Sequence, residues 1–220
     1  MFSNILSFRD ITLYVLPGNI IVYFLLKILS IYNITPFPHF ISSISPNIWE
    51  LVIFGALSTY VGFLQSKLVI KTFNKIFEKE KRSPYSLKTL WQKEDIIQLV
   101  TTKIKEIGLQ GETSDFGFHH FVICMNYVKT KVSEGCYSYS SRLINYSHFA
   151  SVIPLPLTLS LFYFLCKIQF SIWARFTLAC LFAIGIFFTC YTLCFIFRKK
   201  WVQYVLLLLV VIPKDGQAAG

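Results

Sequence analysis

Four runs of apolar residues, each close to twenty long, constrain what this chain can fold into more than any other feature. A hydrocarbon core about 30 Å thick is crossed by about 20 helical residues, and only a helix or a closed barrel satisfies its own backbone there. The runs fall at 11–32, 47–65, 147–166 and 172–197. With 55% of the 220 residues hydrophobic and a mean hydropathy of +0.57, water is not the main solvent of this chain. The pattern predicts an all-α, polytopic membrane protein with about four transmembrane helices and a helical insertion between the second and third. A fifth apolar run at 201–212 is short, follows Arg198-Lys199-Lys200 directly and stops at Pro213. It is expected as an interfacial or core-packed extension of the fourth helix. Residues 1–9 hold a single cation and no small-residue cleavage site follows, so the first run is read as a retained span.

Charge supplies the expected orientation. The net charge is +10 although only 15% of residues are charged, so the cations are concentrated. Thirteen of them, Lys67 through Arg142, lie in residues 66–146, three more follow the fourth run, and the turn 33–46 has none. Cations near spanning helices stay on the cytoplasmic side. The expected layout is a hairpin over 1–65, a basic cytoplasmic segment over 66–146, and a second hairpin with a cytoplasmic or interfacial tail over 147–220. Both termini then face the cytoplasm. Lys167 and Arg175 run against this scheme, since they flank a turn assigned to the outer face.

Within 66–146 the spacing predicts three short helices and no sheet. The first sets Val69, Phe73, Ile76 and Phe77 against a face of Lys67, Lys71, Lys75 and Lys79, which suits a soluble partner or anionic lipid at about 1 kcal/mol per cation. The second carries Ile96, Leu99, Val100, Ile104 and Ile107 up to Gly108, and the third runs from Phe118 to Val132. These stripes are too modest for a confident independent core, so the segment is expected to pack on itself, on sister subunits or on a partner. No recognisable nucleic-acid module is present, and no direct nucleic-acid contact is expected.

Candidate sites are few. Lys27 and Glu50 fall at similar depth toward the outer leaflet, a possible intramembrane charge pair, although Lys27 can snorkel and Glu50 can serve a helix start. Pro17-Gly18 and Pro154-x-Pro156 predict kinks, which can be hinges but more often shape packing. Arg142 and His148 have the R-x(4 to 6)-H spacing of HEPN-type ribonucleases, a loose pattern that chance supplies readily. His119, His120, Cys124 and Cys136 match no common zinc spacing, and Cys190 and Cys194 share a helical face that suits packing. No Walker loop, G-x-S-x-G or H-E-x-x-H occurs, so no catalytic residue, metal or cofactor is expected.

Phe8-Arg9-Asp10 leads into Tyr14-Val15-Leu16-Pro17-Gly18, Leu57-Ser58-Thr59-Tyr60-Val61-Gly62 lies in the second run, and Ser141-Arg142-Leu143-Ile144-Asn145 precedes the third. In these residues and in its layout the chain resembles four-span proteins of bacterial antiphage defence islands, either the membrane accessory protein of type VI-B CRISPR systems or the membrane subunit of Kiwa systems. The resemblance implies a non-catalytic inner-membrane oligomer that works with a soluble cytoplasmic effector. It would sense membrane perturbation or alter permeability. The alternatives are a small ion channel or transporter and, further off, a membrane-anchored HEPN-like ribonuclease.

Overall fold

The computed structural model describes residues 10–31, 48–79, 83–109 and 116–213, without the side chains of 48–51, 78 and 79. The turn 33–46 lies outside the described residues. Those described are helical, and no strand occurs among them. A π-helical turn, Ile11–Val15, leads into α1, Leu16–Ile31; then come α2, Ile48–Lys79; α3, Leu87–Leu90; α4, Glu94–Glu106; α5, Phe118–Lys131; α6, Glu134–Val152; α7, Pro154–Lys167; and α8, Ile172–Val211. Four stretches are long and apolar enough to cross a membrane: Ile11–Ile31, Val52–Phe77, Glu134–Lys167 and Ile172–Val211. This is a multi-pass membrane protein.

The helices outrun the apolar runs. At 1.5 Å per residue, the 40 residues of α8 extend about 60 Å, twice the hydrocarbon thickness. The run 201–212 is thus the end of α8 itself. Helix α6 begins at Glu134, well before the third apolar run, because no proline or paired glycine interrupts 134–146 and Ser140 there accepts a hydrogen bond from Trp201. In α4 the buried face is Ile97, Val100 and Ile104, with Leu99 turned outward. Val100 and Ile104 belong to the expected stripe, whereas Ile97 takes the inward place expected for Ile96 and Leu99 lies outside it. Helix α4 stops at Gly108, whose φ of 84° suits glycine. There the Leu109 N–H donates to the Ile104 carbonyl and the Gly108 N–H to the Lys105 carbonyl, a Schellman ending.

The chain divides into two units drawn from distant parts of the sequence, residues 1–71 with 148–193, and residues 72–147 with 194–220. The insertion is therefore grouped with the chain's last stretch and not held as a consecutive segment.

In the first unit α1 and α2 meet backbone to backbone. A Cβ on Gly18 would lie 1.8 Å from the Ser58 carbonyl oxygen, and one on Gly62 would lie 1.9 Å from that of Tyr14. Small residues at such crossings let helices approach where lipid gives no hydrophobic drive. The other side of α1 packs on α7, with Phe24 5.4 Å from Tyr163 and 6.2 Å from Phe164 between ring centroids. Near the chain's start the Leu16 N–H donates to the Ile11 carbonyl, an i→i−5 bond. This widened turn lies immediately before Pro17, which has no N–H for the usual i−4 carbonyl.

A neighbouring side chain resolves the second proline problem. Pro156 cannot bond the Val152 carbonyl, and in hydrocarbon an unsatisfied carbonyl costs several kcal/mol. Gln65 Nε2 donates to that oxygen at 2.5 Å. The bend between α6 and α7 is accordingly a packed shape, tied to α2. Gln65→Leu is expected to destabilise the folded protein by about 1–3 kcal/mol. In a Pro156→Ala background, where the backbone N–H returns, the cost should fall below half of that in a double-mutant cycle of detergent unfolding.

Candidate functional site

The second unit buries the far end of α8. Trp201, Val202, Val205, Leu206 and Leu209 lie inside with Phe77, Tyr85, Val100, Phe121 and Val128. Each such side chain contributes about 1.5–3 kcal/mol by leaving water. Polar ties fix the register. Trp201 Nε1 donates to Ser140 Oγ at 2.9 Å, Gln203 Nε2 to the Leu90 carbonyl at 2.5 Å, and the Tyr204 hydroxyl to the Cys136 carbonyl at 3.0 Å.

Arg198 lies at the centre of this core and is only 3% exposed. Its Nε donates to Ser147 Oγ at 3.3 Å, and one terminal nitrogen donates to Asn74 Oδ1 at 2.9 Å and to the Tyr85 hydroxyl at 2.8 Å. The guanidinium carbon lies 5.7 Å from the ring centre of Phe77 and 5.8 Å from that of Trp201. No carboxylate pairs with it among the described residues. Burying an ion costs several kcal/mol. Charge-assisted hydrogen bonds at about 1.5–3 kcal/mol each and desolvated cation–π contacts at about 2 kcal/mol offset it. Lysine could not substitute, because a point charge lacks the planar fork that reaches three oxygens and lies against two rings.

The clamp joins α2 through Asn74, the following turn through Tyr85, α6 through Ser147, and α8. Asn74, Ser147 and Arg198 each stand within a few residues of the point where their own helix enters the second unit. Ser147 is shared, since its hydroxyl also bonds the Cys194 carbonyl at 3.2 Å. A guanidinium is neither base nor nucleophile here, and its contacts hold these elements together.

Sequence reasoning counted Arg198 with Lys199 and Lys200 as retained cations. The signal that sets it apart is periodicity: Cys190, Cys194, Arg198, Trp201, Val202 and Val205 recur at three- and four-residue spacing, all buried.

The sequence-derived candidates are distributed otherwise. Lys27 is half-buried, its ammonium 5.7 Å over the Tyr23 ring. The Glu50 side chain is outside the described residues, and with it the proposed pair. Pro17 and Gly18 are buried in the α1 crossing, and Pro154 and Pro156 open α7. Lys67, Lys71 and Lys75 are exposed on α2, with Lys67 5.2 Å over Phe63; the Lys79 side chain lies outside the described residues. Arg142 is exposed, 6.0 Å over the Tyr139 ring, and His148 is half-buried. Six positions apart on α6, they are about 120° apart around its axis, so the helix does not present them together. His120 has a local role, its Nδ1 accepting from the Gly117 N–H at 3.4 Å. Cys124 is buried on α5, which pushes its thiol up to about 12 and keeps it protonated. No group of three metal-ligating side chains occurs among the described residues. Arg175, the cation at odds with the charge scheme, donates to the Cys166 carbonyl at 3.4 Å near the end of α7.

Compared with family models, with curated proteins and with solved structures, the chain matches none.

Arg198→Ala is expected to destabilise the protein by about 3 kcal/mol, since it leaves buried oxygens without their donor. Arg198→Lys should recover less than half of this, and Tyr85→Phe should cost about 1 kcal/mol. Thermal unfolding in detergent, followed by Trp fluorescence, measures all three.

Proposed function

We propose that this protein is a non-catalytic transducer of the bacterial inner membrane, an oligomeric component of antiviral defence that couples its helix bundle to a soluble cytoplasmic effector. The observation that carries this reading is the Arg198 clamp, which fixes α2, α6 and α8 to one another in the second unit. A disturbance that shifts any of these helices must strain a buried, fully engaged cation, and strain in a packed core is passed on and not absorbed. The defence setting comes from the resemblance of the motifs around Pro17-Gly18, Leu57 to Gly62 and Ser141 to Asn145.

The cytoplasmic placement of the second unit and of both termini is supported by the charge asymmetry. Lys75, Lys88, Lys93, Lys105, Lys129 and Lys131 are exposed there, a surface suited to an acidic protein face or anionic headgroups. A non-catalytic role is supported by the outward placement of Arg142 and by the protonated, buried thiol of Cys124.

A second reading, a small ion channel or transporter, has one observation in its favour: the buried Ser58 and Ser66 hydroxyls have no partner among the described residues.

Purification from native membranes in mild detergent is expected to yield a homo-oligomer with a soluble protein bound. The triple variant Lys75→Glu, Lys88→Glu, Lys93→Glu should keep the oligomer and lose the bound protein. A lone monomer, with phage sensitivity unchanged on deletion, contradicts the proposal.

A further inference from the structure

Most hydroxyls of the apolar helices satisfy themselves. Thr59 donates to the Gly55 carbonyl, Ser151 to His148, Thr158 to Pro154, Ser160 to Pro156 and Thr192 to Phe188, all at 2.6–2.9 Å. This back-bonding is the ordinary refuge of a helical hydroxyl. Ser58 and Ser66, both fully buried on α2, do not take it, and neither has a partner among the described residues. Two amide oxygens share their condition, Asn19 Oδ1 on α1 and Gln65 Oε1 on α2. The Gln65 amide nitrogen is held by the Val152 carbonyl, which fixes the direction of its oxygen.

These groups fall into two levels. Ser58, Gly62, Gln65 and Ser66 lie within about 100° of the α2 axis, a single face. The glycine contacts give the register: Gly18 meets Ser58 and Tyr14 meets Gly62, so α1 and α2 run antiparallel. Asn19, next to Gly18, is thus level with Ser58. One turn beyond Tyr14, the same register sets Asp10 level with Ser66 and Gln65. Each level combines a hydroxyl with an amide oxygen. The two are about 12 Å apart along α2.

We propose that the α1–α2 seam holds a buried water at each level, one between Ser58 and Asn19 and one at Ser66 and Gln65. Water is the ligand class that fits, because it donates to an amide oxygen and accepts from a hydroxyl at once, and the four unpartnered groups are all neutral. A buried water ordinarily takes two to four polar partners, and leaving these groups bare in hydrocarbon would be costly. This inference does not rest on the defence reading, and the two can fail separately.

Replacing a serine by alanine separates the possibilities by sign. Where the hydroxyl holds a water, its loss weakens the fold; where it is bare, its loss relieves a buried unsatisfied group. Ser58→Ala and Ser66→Ala are each expected to raise the SDS unfolding constant of the full-length protein roughly fivefold, with effects that multiply in the double variant. An unfolding constant that is unchanged or falls in either variant overturns the proposal.

Discussion

Hydrocarbon offers no hydrogen bonds, and this constraint orders the structure. It makes every described span a helix, because only there does the backbone satisfy itself. Where Pro156 breaks that self-sufficiency, Gln65 from the facing helix donates to the carbonyl left open. The same rule governs the close crossing at Gly18 and Gly62, since backbones that touch leave no room for side chains, and association must come from packing. What resembles a set of hinges in the sequence is a set of locally resolved deficits.

The second unit meets a related demand with charge. Arg198 is buried at a cost of several kcal/mol and held by three neutral oxygens and two aromatic faces. Such an arrangement has few alternative geometries. It ties α2, α6 and α8 at one place, and the transmitting role proposed for the protein rests on it.

The four spans were legible because hydropathy needs no partner to be read. The true helix lengths were not. Residues 134–146 are rich in Ser and Tyr and have no apolar stripe, so nothing local distinguishes them from a loop; Ser140 and Ser147 are buried only because Trp201 and Arg198 reach them. Gly108 ended its helix as expected, and Val100 and Ile104 are buried as expected, whereas Ile96 was taken in place of Ile97 because both fit a helical period equally well. The candidate site was harder still. Arg198 was hidden by its neighbours Lys199 and Lys200, and composition weighs the three alike. Only the spacing from Cys190 to Val205 separates a core cation from two outward ones. Gln65 and the two serines were invisible for the opposite reason, since single polar residues in an apolar run have no pattern until the facing helix is in place.

The account depends on the side of the membrane that the second unit occupies. Cys136 is exposed and belongs to that unit, so it reports the answer without any substitution. A membrane-impermeant maleimide added to intact spheroplasts, with the labelled peptide identified by mass spectrometry, is predicted to leave Cys136 unmodified and to modify it once the membrane is opened. Labelling of Cys136 in intact spheroplasts would place the unit outside the cell and contradict the account.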